Sequence, residues 1–239
     1  MPIVTITGQA GSGGPEIGKR VADLLGVDYV DREILAEAAR RIKTPVAEVE
    51  ERDEKTSSLG KRIARFLQSF LEKSAIAGAP GDPFMGSTGI EVLLSRTYAE
   101  EAQLPASESQ QLDDTRFCEV IQAVIRDLAK TGNVVIIGRG GQVILRNIPS
   151  ATHAYLTASL EDRIKLTVLR EGIDQEKAEK ITKETDKNLT AYYKKFFKVD
   201  YSDPLLYHLI VNTSLVAFDT AAHIIATFAK DKGATPEPI

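Results

Sequence analysis

Residues 8–14 of this 239-residue chain read GQAGSGG, which crowds Gly8, Gly11, Gly13 and Gly14 into seven positions around Ser12. Glycines at that density let successive backbone N–H groups curl around one anion, since no Cβ holds the chain away from it. The residues that follow, Ile17, Val21, Leu24 and Leu25, have helical spacing, and a helix starting there turns its positive end toward the same point. The chemistry on offer is phosphate binding. The pattern GxxxxGK[ST] laid on 8–15 matches at Gly8 and Gly13, but Gly14 stands at the lysine position and Pro15 at the Ser/Thr position. A charge-assisted phosphate contact is worth roughly 1.5–3 kcal/mol, so the charge comes from elsewhere or turnover is slow or absent. Pro15 suits a first helical turn, where a missing N–H costs nothing. Glu16 would repel phosphate unless it meets a metal or turns away. A glycine-rich turn that binds nothing is the alternative.

Candidate cations lie further along. Arg139 follows the apolar run 134–137 and is flanked by Gly138, Gly140 and Gly141. That places it at the carboxyl edge of a sheet, where open α/β folds take their ligands; the alternative is a salt bridge to a neighbouring helix. Arg163 and Arg170 fall on a helix that Thr157 or Ser159 can cap and Gly172 breaks, and a second helix carries Lys183, Asp186, Lys187 and Asn188. One reading of two such basic helices is a lid that would bring Arg163 and Arg170 over transferring phosphoryl groups and exclude water; the alternative is that most of these charges form a solvated helix face. Asp31 either orients a ribose or acceptor group or caps a helix. Cys118 lies among Phe117, Val120 and Ile121 and reads as packing. His153, His208 and His223 have no ligand spacing, so no protein-held metal is expected.

The elements that position these residues alternate between strand and helix. Residues 3–7 read as a buried strand, 27–31 as a second, 133–137 as a third, 151–156 as a fourth and 208–211 as a fifth. Helices over 32–42 and 119–130 lie between them, the first with Asp31 at its N-cap. The expected fold is an α/β three-layer sandwich on a five-stranded, mostly parallel sheet. Its core would comprise 1–43 and 115–239, with a lid over about 160–198. Between 44 and 114 the strand signal vanishes. A charged helix (46–55) and an amphipathic one (59–73, with Ile63, Phe66, Leu67, Phe70 and Leu71 on one stripe) suggest a helical insertion. Loops or hinges are expected at 75–89 and 104–114. A net charge of −4 argues against general nucleic-acid or membrane binding, and no apolar run approaches the roughly 20 residues of a membrane span. With no leader pattern, the chain reads as cytoplasmic. Self-association through the Phe66–Phe70 stripe is the second reading of a face that is most simply core, so a homo-oligomer stays open.

Together, ITGQAGSGGPEIGKRVA, DYVDREIL, NVVIIGRGGQVIL, AYLTASLEDRIKLTVLREG and TDKNLTAYYKKFFKVDYSDPLLYHLIVNTS resemble, in that order, the cytidylate kinase-like family of P-loop nucleoside monophosphate kinase relatives. The resemblance implies transfer of the γ-phosphoryl of ATP, with Mg2+, to a nucleoside monophosphate, CMP or dCMP favoured. It implies donor binding at Gly8, Gly11, Ser12, Gly13 and Gly14, an acceptor segment in the insertion with Asp31 and Arg139 near it, and Arg139, Arg163, Arg170 and Asp186 as catalytic residues. Small-molecule nucleotides are the implied partners. The chain departs from the family pattern at Gly14 for lysine, at Pro15, at Gly140 for aspartate and at Leu189 for arginine. These departures favour a second class of function, a catalytically degenerate nucleotide-binding regulator or scaffold.

Overall fold

A computed structural model describes residues 1–41, 58–77, 94, 97–98, 100 and 108–232. The alternation in IVTITG does what period-2 patterning requires: β1 (Ile3–Gly8) sends Ile3 to one face of the sheet and Val4 and Ile6 to the other, all buried. Gly14 opens α1 (Gly14–Leu25), which Gly26 ends in the left-handed conformation. Next come β2 (Asp28–Val30) and α2 (Arg32–Arg41), then α3 (Ser58–Ala77) and α4 (Glu108–Thr131). β3 (Val134–Ile137), the short α5 (Gly141–Ile144) and β4 (Ala151–Thr157) follow. The antiparallel pair α6 (Leu160–Glu171) and α7 (Gln175–Phe197) leads through a 3₁₀ turn at Pro204–Leu206 to β5 (Leu209–Asn212) and α8 (Phe218–Asp231).

All five strands run parallel in the order β2-β3-β1-β4-β5. Such a sheet must be covered on both faces. On one, Val4, Ile6, Val135 and Leu156 meet Ile17 and Val21 of α1 and Ala221, Ala222 and Ile225 of α8. On the other, Ile3, Val134 and Ile136 meet Phe117, Ile121 and Ile125 of α4 and Tyr192 and Tyr193 of α7. This is the expected P-loop-type three-layer α/β architecture. β1 is central, so its carboxyl end is flanked by those of β3 and β4, and the glycine loop emerges there.

The boundaries differ from expectation in one place that matters. α4 begins at Glu108, not Glu119, so the polar stretch placed as a loop over 104–114 is helical from 108 onward. The run from 108 to 131 contains neither Gly nor Pro, and polarity alone does not stop a helix. Its Asp114 also pairs with Lys195 of α7 at 2.6 Å, both side chains largely shielded from solvent. α3 likewise runs to Ala77 rather than Lys73. Of its stripe, Ile63 and Leu67 are buried with Leu59 and Leu94, and Phe66 rests on the same cluster; the side chains of Phe70 and Leu71, the charged helix 46–55 and most of 75–89 lie outside the described residues. No helix among the described residues is long and apolar enough to cross a membrane.

Candidate phosphate-binding site

The loop between β1 and α1 is closely shaped by its neighbours. Gly11 (φ 78°) and Gly13 (φ 87°) are left-handed, and a Cβ would stand 2.6 Å from the Arg163 carbonyl oxygen at Gly11 and 2.5 Å from the Phe218 ring at Gly13. Only glycine meets both demands. Gly14 is the opposite case. Its φ is ordinary, and the nearest atom to a built Cβ is Ile137 Cγ2 at 3.9 Å, so the lysine position is sterically open.

Side chains from β4, α6, α7 and the segment just past β5 tie the loop down. The Gln9 side-chain carbonyl accepts from Thr157 Oγ1 at 2.7 Å and from the Ala158 N–H at 3.2 Å. Ala10 donates its N–H to Asp186 Oδ1 at 2.9 Å and accepts at its carbonyl from Arg163 Nη1 at 3.1 Å. The Ser12 carbonyl accepts from Thr213 Oγ1 at 3.0 Å, and the Ser12 hydroxyl donates to the Gln9 carbonyl at 2.7 Å. Among the described residues, the N–H groups of Gly11, Gly13 and Gly14 donate to none. All three residues line a cavity of about 220 Å³ at the carboxyl end of β1. Free amides at the start of a 12-residue helix give that cavity the polarity that binds anions.

Of the cations named from sequence, Arg170 lines this cavity, and it is the one charged side chain among the described lining residues. It is exposed and paired with Glu171 at 2.9 Å. Arg163 is almost wholly buried and already engaged, by Asp186 at 2.6 Å and by the carbonyls of Ala10 and Ala158. Asp186 is shared between Arg163 and the Ala10 amide, so these two residues brace the loop rather than face its cavity. Arg139 departs most from expectation. Gly138, Arg139 and Gly140 are all left-handed, and this reversal at the sheet edge turns the Arg139 side chain into the protein. It is 1% exposed, with its guanidinium over the rings of Tyr98 at 5.4 Å and Phe117 at 5.8 Å, and it is not among the described residues lining the cavity. Asp31 caps α2, accepting from the Ile34 N–H at 3.0 Å. Gly8 and Ser12 line the cavity floor, and Leu189 lines its wall with Thr167, Ile181, Thr182 and Thr185.

Sequence reasoning missed Tyr98, which lines the cavity from the 44–114 stretch and accepts the Arg139 N–H at its hydroxyl at 3.1 Å. It also missed Gln142, fully buried. Gln142 Oε1 accepts from Thr7 Oγ1 at 3.0 Å and from the Tyr193 hydroxyl at 3.3 Å, and its Nε2 donates to the Tyr207 hydroxyl at 3.1 Å. Burial pushes the Tyr193 phenol up, so this network is one of neutral hydroxyls at physiological pH. No spacing in the sequence announces either residue, since each acts across the fold. Of the histidines, His153 is buried, hydrogen-bonded to Thr5 Oγ1 at 2.8 Å, and desolvation, then the charges of His208 and Lys232, lower its pKa to about 4.

The model for the cytidylate kinase-like family matches residues 3–215. A cytidylate kinase of Methanoregula boonei is 26% identical over 179 residues, covering 67% of this chain and 96% of that protein. One of Aeropyrum pernix is 27% identical over 141 residues, covering 58% and 81%. Among solved structures, an uncharacterized protein from Eubacterium ventriosum superposes with a TM-score of 0.60 at 17% identity, over 97% of this chain and 99% of that one. That likeness is one of fold.

Proposed function

The chain belongs to the cytidylate kinase-like family, and from that premise we propose that it transfers the γ-phosphoryl group of ATP to a nucleoside monophosphate, CMP or dCMP by preference. The observation that carries this reading is the set of three amides without an internal acceptor, at Gly11, Gly13 and Gly14, around one cavity at the start of α1. In the proposed reaction an oxygen of the acceptor phosphate attacks the γ-phosphorus, the bond from that phosphorus to the β–γ bridging oxygen breaks, and ADP leaves. Such transfer runs on positioning and charge neutralisation. The loop amides hold the donor phosphates, Arg170 supplies positive charge from the lid side, and Arg163 with Asp186 keeps the loop in shape. Residues 44–114 are the proposed acceptor-binding segment, with Tyr98 its one described contact with the cavity.

The residues present suit a magnesium nucleotide. Mg2+ takes much of its octahedral shell from water and substrate phosphates, so Pro15 at the hydroxyl position does not exclude it, and the amides still bind the phosphates that carry it. The metal would offset charge on the transferring group. What the chain lacks is the lysine, and a missing transition-state donor of this kind costs roughly 100- to 1000-fold in rate.

The second reading is a nucleotide-binding protein without transfer activity. Leu189 favours it, because a buried apolar side chain lines the cavity where the family pattern has arginine. Calorimetric titration with magnesium-ATP, alone and with CMP, separates the two. Micromolar binding, about −8 kcal/mol, tightened by CMP supports the kinase; ATP binding indifferent to CMP supports the second reading; no heat from either nucleotide with folded protein refutes both.

A further inference from the structure

A trans peptide points its C=O and its N–H in opposite directions, and the chain has no cis peptide bond among the described residues. Whatever holds the carbonyl of one residue therefore aims the amide of the next residue away from itself. The Ser12 carbonyl is held by Thr213 Oγ1 at 3.0 Å, from the segment just past β5. The hydroxyl is shared between two carbonyls, with Ser12 the shorter contact and Thr157 at 3.3 Å, and the Thr157 carbonyl also accepts the Thr213 backbone N–H at 2.8 Å. The amide on the far side of the Ser12 peptide is Gly13's. In the same way the Ala10 carbonyl is held by Arg163 Nη1, whose charge Asp186 balances, and the amide on the far side of that peptide is Gly11's. Gly11 and Gly13 are two of the three loop residues whose amides have no acceptor among the described residues.

We infer that Thr213 is a positioning residue for phosphate binding, with Arg163 its counterpart on the opposite side of the loop: they touch no phosphate and instead orient the peptide planes that do. The inference rests on the reading of the loop as a phosphate cradle. It gives Thr213, distant in sequence from the loop, a role in affinity, and it changes the expected role of Arg163 from a clamp on the substrate to a brace on the loop.

The test uses the full chain and inorganic pyrophosphate with Mg2+, a probe with neither base nor sugar, followed by calorimetry and by the amide resonances of Gly11 and Gly13. Thr213→Val keeps the branched shape and removes the donor; Thr213→Ser keeps the donor. Wild type should bind with movement of both glycine resonances. Thr213→Val should bind about fivefold more weakly, the worth of one neutral hydrogen bond, with the Gly13 response diminished and that of Gly11 retained. Thr213→Ser should lie within about twofold of wild type on the same scale. Should Thr213→Val unfold, Thr213→Ala provides the same comparison. Pyrophosphate affinity unchanged in a folded Thr213→Val or Thr213→Ala protein overturns the inference alone. A wild-type chain that binds neither pyrophosphate nor magnesium-ATP overturns the cradle reading, and the inference with it.

Discussion

Restoring the missing cation is the sharpest perturbation available. At Gly14 the backbone is not left-handed and a built Cβ has nothing nearer than Ile137 Cγ2 at 3.9 Å, so Gly14→Lys enters without strain. Its ammonium would extend into a cavity whose described lining holds one other charge, that of Arg170. A charge-assisted contact to phosphate contributes roughly 1.5–3 kcal/mol, which converts to a dissociation constant lower by about 10- to 150-fold. Pro15 can stay, because it occupies a first-turn position without a needed N–H. The assay is calorimetric titration of wild type and Gly14→Lys with magnesium-ATP, run beside thermal unfolding to show that both are folded, and coupled to a kinase assay with CMP. The expected result is tighter ATP binding with little change in unfolding temperature, and faster transfer if the acceptor site is intact. Equal ATP affinity in a folded Gly14→Lys protein would refute the placement of donor phosphates over the start of α1.

Arg170→Gln, on an exposed side chain whose surface ion pair adds little to stability, should weaken magnesium-ATP binding about tenfold while unfolding stays within about 0.5 kcal/mol of wild type; equal binding would remove Arg170 from the site. Asp186→Asn leaves the buried Arg163 guanidinium without its counter-charge and should cost about 3 kcal/mol in urea unfolding; a loss under about 1 kcal/mol would show that the carbonyls of Ala10 and Ala158 suffice. His153 carries a pH prediction. Its folded pKa of about 4 lies below the ordinary 6.5, so the unfolded chain takes the proton first. The stability linked to it is fully present above about pH 6.5 and falls as pH drops toward 4, by about 3 kcal/mol at 1.36 kcal/mol per unit. His208, lowered by burial and by Lys232, adds in the same sense. In His153→Gln the urea midpoint should change less between pH 7 and 4.5 than in wild type, and an identical pH profile would exclude His153 as its source.

The sheet and the loop were legible because local pattern decides them. Period-2 alternation in β1, the glycine cluster, the Ser159 cap that accepts from the Asp162 N–H and the Gly172 stop are all written within a few residues of where they act. Asp31 as a helix cap was legible for the same reason. The start of α4 was not, because Glu, Gln and Asp residues that read as a solvated loop serve equally well on a helix whose fate is settled by packing and by the Asp114–Lys195 pair. Arg139 shows the limit at a site. Its strand-end position was correctly placed, yet whether such a side chain turns outward or inward depends on three consecutive left-handed residues and on Tyr98 and Phe117 beneath it. The partner of Arg163 was hidden more completely, since nothing near α6 in sequence indicates the Ala10 carbonyl.

The double attachment of Ala10 also links the loop to the core on one face of the sheet. α6 reaches the Ala10 carbonyl through Arg163 and α7 reaches the Ala10 N–H through Asp186, and three residues past Asp186 the same helix begins to bury Leu189, Tyr192 and Tyr193 in that core. One carboxylate thereby joins the shape of the glycine loop to the packing of an aromatic cluster with which the loop shares no stretch of sequence.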